Sequence, residues 1–459
     1  MAFGRQRSRV GGMFSAGTLR RILAGCSLAL LAVAPTARGE TLLEAYALAL
    51  KSDPKFKAAQ AEAGAAGTAT DQAQAGFLPT VRFDREHTQS RQRVLSSENP
   101  VFATGSQTFP IDNNTLFVTQ PIFRKEVIER YEQAKAVVRQ AEFTLLAAEQ
   151  DLILRTTSAY LLVLAAADNL ALSVAEREAV GKALELARER LKGGLGTITN
   201  QYDAAARFAV SQAREIEARN KLRDARQGLR EITGKMIDTM QTLRAGFPLE
   251  MPDPAVVERW VEAALEQNLL LRAKREAVIV ARQEVERQRA GHFPSVNLLL
   301  TRNKRDQGGT LFGGGSNVET TDLMVRLTVP IFEGGLVVAV TQEAQFRYQK
   351  SQEELEQETR SVDRVTRAAY DATLSGVGLV RALGESVVAQ EGALAAKEQG
   401  YRSGLFTLLP VLDAQRDLYL VKRDYYQTRY EYLVNRLRLK QAAGTLAETD
   451  LVSVGAALQ

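Results

Sequence analysis

The 459-residue sequence predicts an α+β fold, predominantly helical and internally duplicated, whose four strands per chain close into a barrel only when several copies pool them. Three observations carry this. Segments recur at an offset near 210 residues: AGFLPTV at 75–81 as AGHFPSV at 290–296, QPIF at 120–123 as VPIF at 329–332, GLGTITNQYDAA at 194–205 as GLFTLLPVLDAQ at 404–415, and ITGKM at 232–236 as AAGTL at 442–446. An offset of that size marks a duplicated unit, not a solenoid, whose repeats span roughly 20–50 residues. Within each copy, helical text yields to alternating text at the first proline and resumes after the second. The helical windows are also longer than any compact core.

The first 39 residues read as a leader. Arg20 and Arg21 precede the apolar run 22–34, and Ala37-Arg38-Gly39 offers small residues for cleavage before Glu40, which is the pattern of a secretory signal peptide. Leu23-Ala24-Gly25-Cys26 spells a lipobox, but most of the apolar stretch follows the cysteine, so plain cleavage is expected; Met13 is a possible start. Residues 1–39 hold six arginines and no acid, so their removal takes the formal charge from +5 to −1 and removes the main support for nucleic-acid binding. The single cysteine leaves with them, and with it any disulfide or thiolate chemistry. The longest uncharged apolar stretch of the remainder, 156–167, is shorter than the ~18–20 residues of a spanning helix, so no transmembrane helix is expected.

The expected organisation is a first repeat over 40–249, a second over 250–446 and a tail over 447–459. Helices are expected near 42–75, 124–192, 200–235, 255–290, 334–402 and 407–444, with Gly76 and Gly291 as stops before a proline. The two longest windows would each run about 100 Å at 1.5 Å per residue. Val127, Tyr131, Ala134, Val138, Ala141, Leu145, Ala148 and Leu152 form a heptad seam, and Leu412, Tyr419, Tyr426 and Leu433 recur at intervals of seven. Such a seam also suits an ordinary bundle, but the length argues against one.

Hairpins are expected over 77–123 and 293–332, with alternating runs at 78–88, 115–123, 296–304 and 322–332. Leu323, Val325, Leu327, Val329 and Ile331 fall on one face against Asp322, Met324, Arg326 and Thr328; Val81 and Phe83 oppose Arg82, Asp84 and Glu86. Alternation over about ten residues is the text of a transmembrane strand, and equally of a half-buried strand in a soluble sandwich. Polar connections at 89–114 and 305–321 (the latter with GGTLFGGGS) and the flanking giant helices favour the membrane. Arg85, Arg302 and Lys304 fit inward or rim positions. Four strands cannot close a barrel, and an open edge in hydrocarbon strands backbone polar groups at several kcal/mol each. Three copies supply twelve strands; two supply eight, too narrow for a channel.

The paired proline landmarks, ETLLEAYALALKSDPKFKAA at 40–59, VPIFEGGLV at 329–337, YRSGLFTLLPVLDAQRDLY at 401–419 and AAGTLAETDL at 442–451, in order and duplicated, resemble the TolC family of outer-membrane efflux and secretion channels over nearly the whole chain after residue 39. The resemblance implies a homotrimer with a 12-stranded transmembrane β-barrel in the outer membrane of a Gram-negative bacterium and a long 12-helix α-barrel crossing the periplasm. It also implies an equatorial collar, here 237–256 plus the tail, and docking to an inner-membrane transporter through a periplasmic adaptor. Residues at the helix turns are implied to close the periplasmic aperture. Tyr401 matches a latch tyrosine, with Arg402 beside it, and Thr199 a latch threonine. Asp413 matches the second of two constricting acids; Pro410 replaces the first, Asn200 replaces an aspartate, and Phe406 stands where relatives can carry arginine. Three Asp413 carboxylates would make a negative ring favouring cations; a helix N-terminal acid stabilised by the macrodipole is the alternative.

No catalytic constellation, metal cluster or cofactor motif is visible, so no enzyme is expected. His87 and His292 are the only histidines and read as surface or interface residues, and Trp260 as core. KGGLGT at 192–197 lacks the Gly-Lys-Ser/Thr of a phosphate loop and reads as a helix–helix turn. The favoured function is the exit duct of a type I protein secretion system, with an ABC transporter at the inner membrane. A drug or toxicant efflux duct is the alternative, and a pore-less periplasmic scaffold the third reading.

Overall fold

The computed structural model describes residues 40–96, 105–244, 246–309 and 314–459. The leader expected over 1–39, with Met13 and Cys26, lies outside the described residues, as do 97–104 and 310–313 in the two hairpin connections.

Each repeat opens with short helices. The expected helix 42–75 is broken into α1 (Leu42–Ser52), α2 (Pro54–Gly67) and α3 (Ala69–Ala75). Asp53 ends the first and caps the second, its carboxylate accepting from the Phe56 N–H at 2.6 Å with Pro54 at the first helical position. The expected helix 255–290 is likewise broken, into α6 (Val257–Gln267) and α7 (Leu269–Arg289). Asn268 caps the second piece through the Leu271 N–H at 3.0 Å. Asp53 and Asn268 stand at matching places in the two repeats, so the duplication carries its cap with it.

The hairpins are longer than their alternation suggests. β1 (Thr80–Val94), β2 (Gly105–Arg124), β3 (Ser295–Gln307) and β4 (Ser316–Thr328) form one antiparallel sheet in the order β1-β2-β3-β4. The segments 89–94, 105–114, 305–307 and 316–321, expected as loop, are paired strand instead. A ladder needs only backbone pairing; alternation marks only the portion with one apolar face. β4 ends at Thr328, so Val329 and Ile331 lie past the strand and do not extend its face. Leu323, Val325 and Leu327 do share a face, in register with Leu300, Leu298 and Val296 of β3.

After the hairpins come α4 (Lys125–Lys192), α5 (Ile198–Thr233), α8 (Leu336–Arg402) and α9 (Leu408–Ala442), ending with α10 (Glu448–Gly455). α4 has 68 residues and α8 has 67, about 100 Å each. All eight positions of the α4 heptad seam are at least half-buried, while Glu126, Arg130 and Glu132 are exposed. An 18-residue window in α4 and one in α8 reach mean hydropathies of 1.6 and 1.2, apolar enough to cross a membrane. This corrects the expectation that no such stretch exists, which counted only runs unbroken by charge. Helices about 100 Å long do not match a ~30 Å hydrocarbon core. With 28% and 22% of these windows buried within the chain, they are faces that the isolated protomer leaves largely uncovered.

The largest buried cluster lies where α1, α4, α5 and α9 meet the segment after α5 and the tail, around Leu42, Leu152, Leu161, Leu229, Leu437 and Leu451. Residues 242–244 pair with the tail through Thr242 N–H to Gln459 O at 2.9 Å and Arg244 N–H to Ala457 O at 3.0 Å. Two buried tyrosines fasten this region to the long helices. The Tyr160 hydroxyl donates to Glu40 O at 2.9 Å and accepts from Gln241 N–H at 3.0 Å. That of Tyr432 donates to Glu250 O at 2.8 Å and accepts from Glu250 N–H at 2.9 Å. Buried Arg429 lies within 5.5 Å of the rings of Phe247, Tyr425 and Tyr426 and bonds the Arg244 carbonyl. Trp260, expected in the core, is only half-buried on α6 and donates to Pro254 O at 2.8 Å. His87 and His292 are both exposed.

Glu284 joins α7 to α4, accepting from Gln133 at 3.0 Å as well as from Arg287 and Gln288. Burial pushes its carboxyl up, but the hydrogen bonds from Arg287, Gln288 and Gln133 outweigh that and bring it down to about 2 from an ordinary 4.5. A depressed folded-state value means stability that is whole above pH ~4.5 and lost as pH falls towards 2. The difference in thermal midpoint between wild type and Glu284→Gln should therefore be largest above pH 5 and shrink steadily below pH 4.5, read by circular dichroism.

Candidate channel aperture

The turns α4–α5 and α8–α9 sit 210 residues apart and share a glycine and a threonine, though only the Thr197 side chain bonds the helix it caps. Gly194 (φ +71°) and Gly404 (φ +81°) adopt the left-handed backbone that ends each long helix, and Thr197 and Thr407 occupy the N-caps of the helices that follow. The turns are placed together by a second apolar cluster to which all four helices contribute. Leu184 and Ala187 of α4, Ala204 of α5, Tyr401 of α8 and Leu408, Val411 and Leu412 of α9 make it up.

The expected aperture residues separate into two groups. Tyr401 is buried in that cluster with the Arg190 guanidinium 4.4 Å from its ring centre. Phe406 folds back so that its ring covers Gly400, where any Cβ would strike it, and its N–H donates to Gly400 O at 3.2 Å. Arg402 and Thr199 are exposed. The Asn200 side chain is only half-buried, and its N–H donates to the Thr197 hydroxyl at 3.3 Å as part of the helix cap. Pro410 is the third residue of α9, inside the first turn, where its missing N–H costs little. Asp413 lies beyond that turn, and its charge is met within the chain: Arg207 of α5 donates to its carboxylate at 2.6 Å and Arg416 approaches at 3.6 Å. Tyr401 and Asp413 therefore face different partners.

Sequence reasoning missed Arg207 and a larger clasp further along the helices. Glu176 of α4 is buried and receives Arg214 of α5 at 2.7 Å and Arg423 of α9 at 3.0 Å. α5 and α9 touch sparsely, and a cavity of about 630 Å³ lies between them, lined by Leu161, Asn169, Asp224, Arg423, Tyr426 and Tyr430. At its edge Tyr430 donates to Asp168 at 2.7 Å, whose carboxyl is pushed up by burial. The two helical hairpins are thus bridged by ion pairs where they diverge. No periodicity reveals the pairs Arg207–Asp413 and Glu176–Arg423, because their members lie 206 and 247 residues apart.

The residues 45–235 and 260–445 match the family model for outer membrane efflux proteins, one match per repeat. The chain belongs to that family. It is 31% identical over 430 residues to the outer membrane protein TolC of Vibrio cholerae, covering 92% of this chain and 94% of the relative. It is 30% identical to the proteases secretion protein PrtF of Dickeya chrysanthemi, covering 92% of each. Among solved structures, the CmeC outer membrane channel of Campylobacter jejuni shares the fold, with a TM-score of 0.77 and 15% identity over 91% of this chain and 89% of that one. The protein is an outer membrane efflux or secretion channel of a Gram-negative bacterium, and not an enzyme. Its fold class stands as expected: a duplicated, predominantly helical α+β protomer of the trimeric barrel channels, with its helical domain in the periplasm.

Replacing Glu176 by Ala leaves Arg214 and Arg423 without their shared carboxylate. A hydrogen bond to a charged group is worth about 1.5–3 kcal/mol, so the variant should melt earlier. It should also be cut faster by trypsin near the 190–200 turn, both measured on the purified protein.

Proposed function

We propose that three copies of this chain form the exit duct of a type I protein secretion system. β1–β4 of each supply a 12-stranded barrel in the outer membrane, the long helices a 12-helix periplasmic tube, and residues 237–256 with the tail its collar. The observation that carries this reading is the sheet itself, with one apolar face and two unpaired edges, β1 and β4. The largely uncovered apolar windows of α4 and α8 are the faces that neighbouring protomers would cover.

Export of proteins is favoured over drugs by the full-length likeness to a protease secretion protein. The helix turns are the proposed docking point for a periplasmic adaptor, which joins the duct to an inner-membrane ABC transporter. Leu195 and Leu405, at matching places in the two turns, are 84% and 78% exposed and offer apolar anchors there. Tyr401, Arg402, Phe406, Thr199, Asn200, Pro410 and Asp413 are the proposed aperture, closed at rest. The second reading, a duct for toxicant efflux, is favoured by the family description itself.

Deleting the chain from its host decides between them. Loss of one or a few large proteins from the medium with toxicant tolerance intact supports protein export; hypersensitivity to dyes, detergents and antibiotics with an unchanged secretome overturns it in favour of efflux. Removing the countercharge at the aperture should be visible in planar bilayers. Arg207→Gln leaves the Asp413 carboxylate in each protomer with only the more distant Arg416 and should raise the potassium-to-chloride permeability ratio by about twofold or more. Asp413→Asn in the same background should abolish that gain.

A further inference from the structure

The register divides the sheet into a mainly apolar face, which includes Gln120, and a mixed polar face, which includes Phe117, Leu299 and Met324. Facing one way are Val81, Val118, Leu300 and Leu323 in one row, Leu298 and Val325 in the next, and Val296 and Leu327 beyond them. The other face carries Arg82, Asp84, Asp322, Thr301 and Asn303, with Thr115 and Asn297 buried on it. In a membrane barrel the apolar face meets lipid and the polar one the lumen. From Leu327 to Thr321 the apolar band runs about 20 Å at ~3.3 Å per residue. Phe77, Phe293 and Phe332 are exposed beyond its helix-side end, as an interfacial aromatic girdle would be.

At the opposite end, towards the hairpin tips, the lipid face changes character within two rows. Phe83, Leu116, Arg302 and Thr321 share the first; Arg85, Asn114, Lys304 and Glu319 share the second. Arg85, Arg302 and Lys304, first expected at inward or rim positions, are thus on the outer wall at its rim. Arg302 donates to Glu319 at 2.6 Å, while no ion pair engages Arg85 or Lys304 among the described residues. Three cations stand against one acid. A row further out the charge reverses, with Asp112 and Asp306, His87 lying 2.8 Å from Asp112. Arg85 and Lys304 are two strands apart, about 10 Å at the backbone. The three cations thus stand together at the rim of the apolar band, and beyond the acidic row the same face of β1 carries Arg91 and Arg93, Arg91 bonded to Ser106.

We propose that Arg85, Arg302 and Lys304 form a site on the outer wall of the barrel for a phosphate-bearing lipid of the outer leaflet. Its chains would lie on the Leu300–Leu323 band and its phosphates against the cations. Cations on a lipid face are costly at the bilayer midplane and nearly free at the interface. Facing anionic headgroups, each becomes attractive, by about fivefold in affinity. A lipid with two phosphates can reach both unpaired cations at once. The inference rests on the barrel lying in the outer membrane with the hairpin tips outward.

The test uses delipidated full-length trimers titrated with diphosphorylated lipid A, the bound lipid being counted by native mass spectrometry. Wild type should bind it in preference to dephosphorylated lipid A. The double variant Arg85→Gln/Lys304→Gln should bind about 25-fold more weakly, and each single variant about fivefold, while Arg305→Gln on the lumenal face should bind as wild type. Equal binding by the double variant, or equal binding of the dephosphorylated lipid, overturns the proposal. So does full displacement by equimolar inorganic pyrophosphate, which would mark a site for free phosphate. If the double variant does not assemble, the single variants decide. Absence of a detergent-resistant trimer in the wild type would instead overturn the barrel reading, which is a separate failure.

Discussion

The strands run in the order β1-β2-β3-β4, so β1 and β4 each leave one side of the backbone without a partner. In water an open edge is a manageable liability; in hydrocarbon every unpaired N–H and C=O costs several kcal/mol. Two such edges on a four-stranded sheet oblige the chain to meet copies of itself. The same requirement fixes the symmetry of everything attached to the sheet. Each strand pair continues into helices of about 100 Å, so closing the barrel brings twelve helices around one axis. The uncovered apolar windows of α4 and α8 answer that geometry.

Long helices packed along narrow seams gain from cross-ties. The structure places them at two levels. About midway along the long helices, Tyr160 and Tyr432 each use one hydroxyl as both donor and acceptor, fixing irregular backbone to a helix. Towards the turns the ties become ionic, Glu176 with Arg214 and Arg423, then Arg207 with Asp413. The Glu176 carboxylate is buried, whereas the Arg207–Asp413 pair is reached by solvent and exchangeable for water. The turns are thus held by an apolar cluster with one solvent-reached ion pair beside it.

Much of this was legible in the sequence. The duplication, the four long helices and the apolar face of β4 followed from spacing, and the αL glycines at 194 and 404 sat where helical text stopped. The breaks at Asp53 and Asn268 were hidden because a cap residue inside a periodic run reads as one more polar position. The outer halves of the strands were hidden because polar on both faces looks like loop. Trp260 misled because a large aromatic on an amphipathic helix suggests core, yet its indole N–H is satisfied by a nearby carbonyl at the surface. Two of the ion pairs, Arg207–Asp413 and Glu176–Arg423, were hidden for a topological reason: each joins one repeat to the other.

That last fact bears on what gene fusion made available. Asp203 and Asp413 occupy the same place in the two repeats, as do Arg207 and Asp417. In a ring of six identical hairpins an arginine at the one place and an aspartate at the other would pair at all six seams alike. Once two hairpins share a chain the places can differ, and with Asp417 standing where the first repeat has Arg207, the ion pair forms at one kind of seam and not the other, three times around a ring of three chains. Divergence between the halves therefore gave the mouth two kinds of seam where perfect sixfold symmetry allows one.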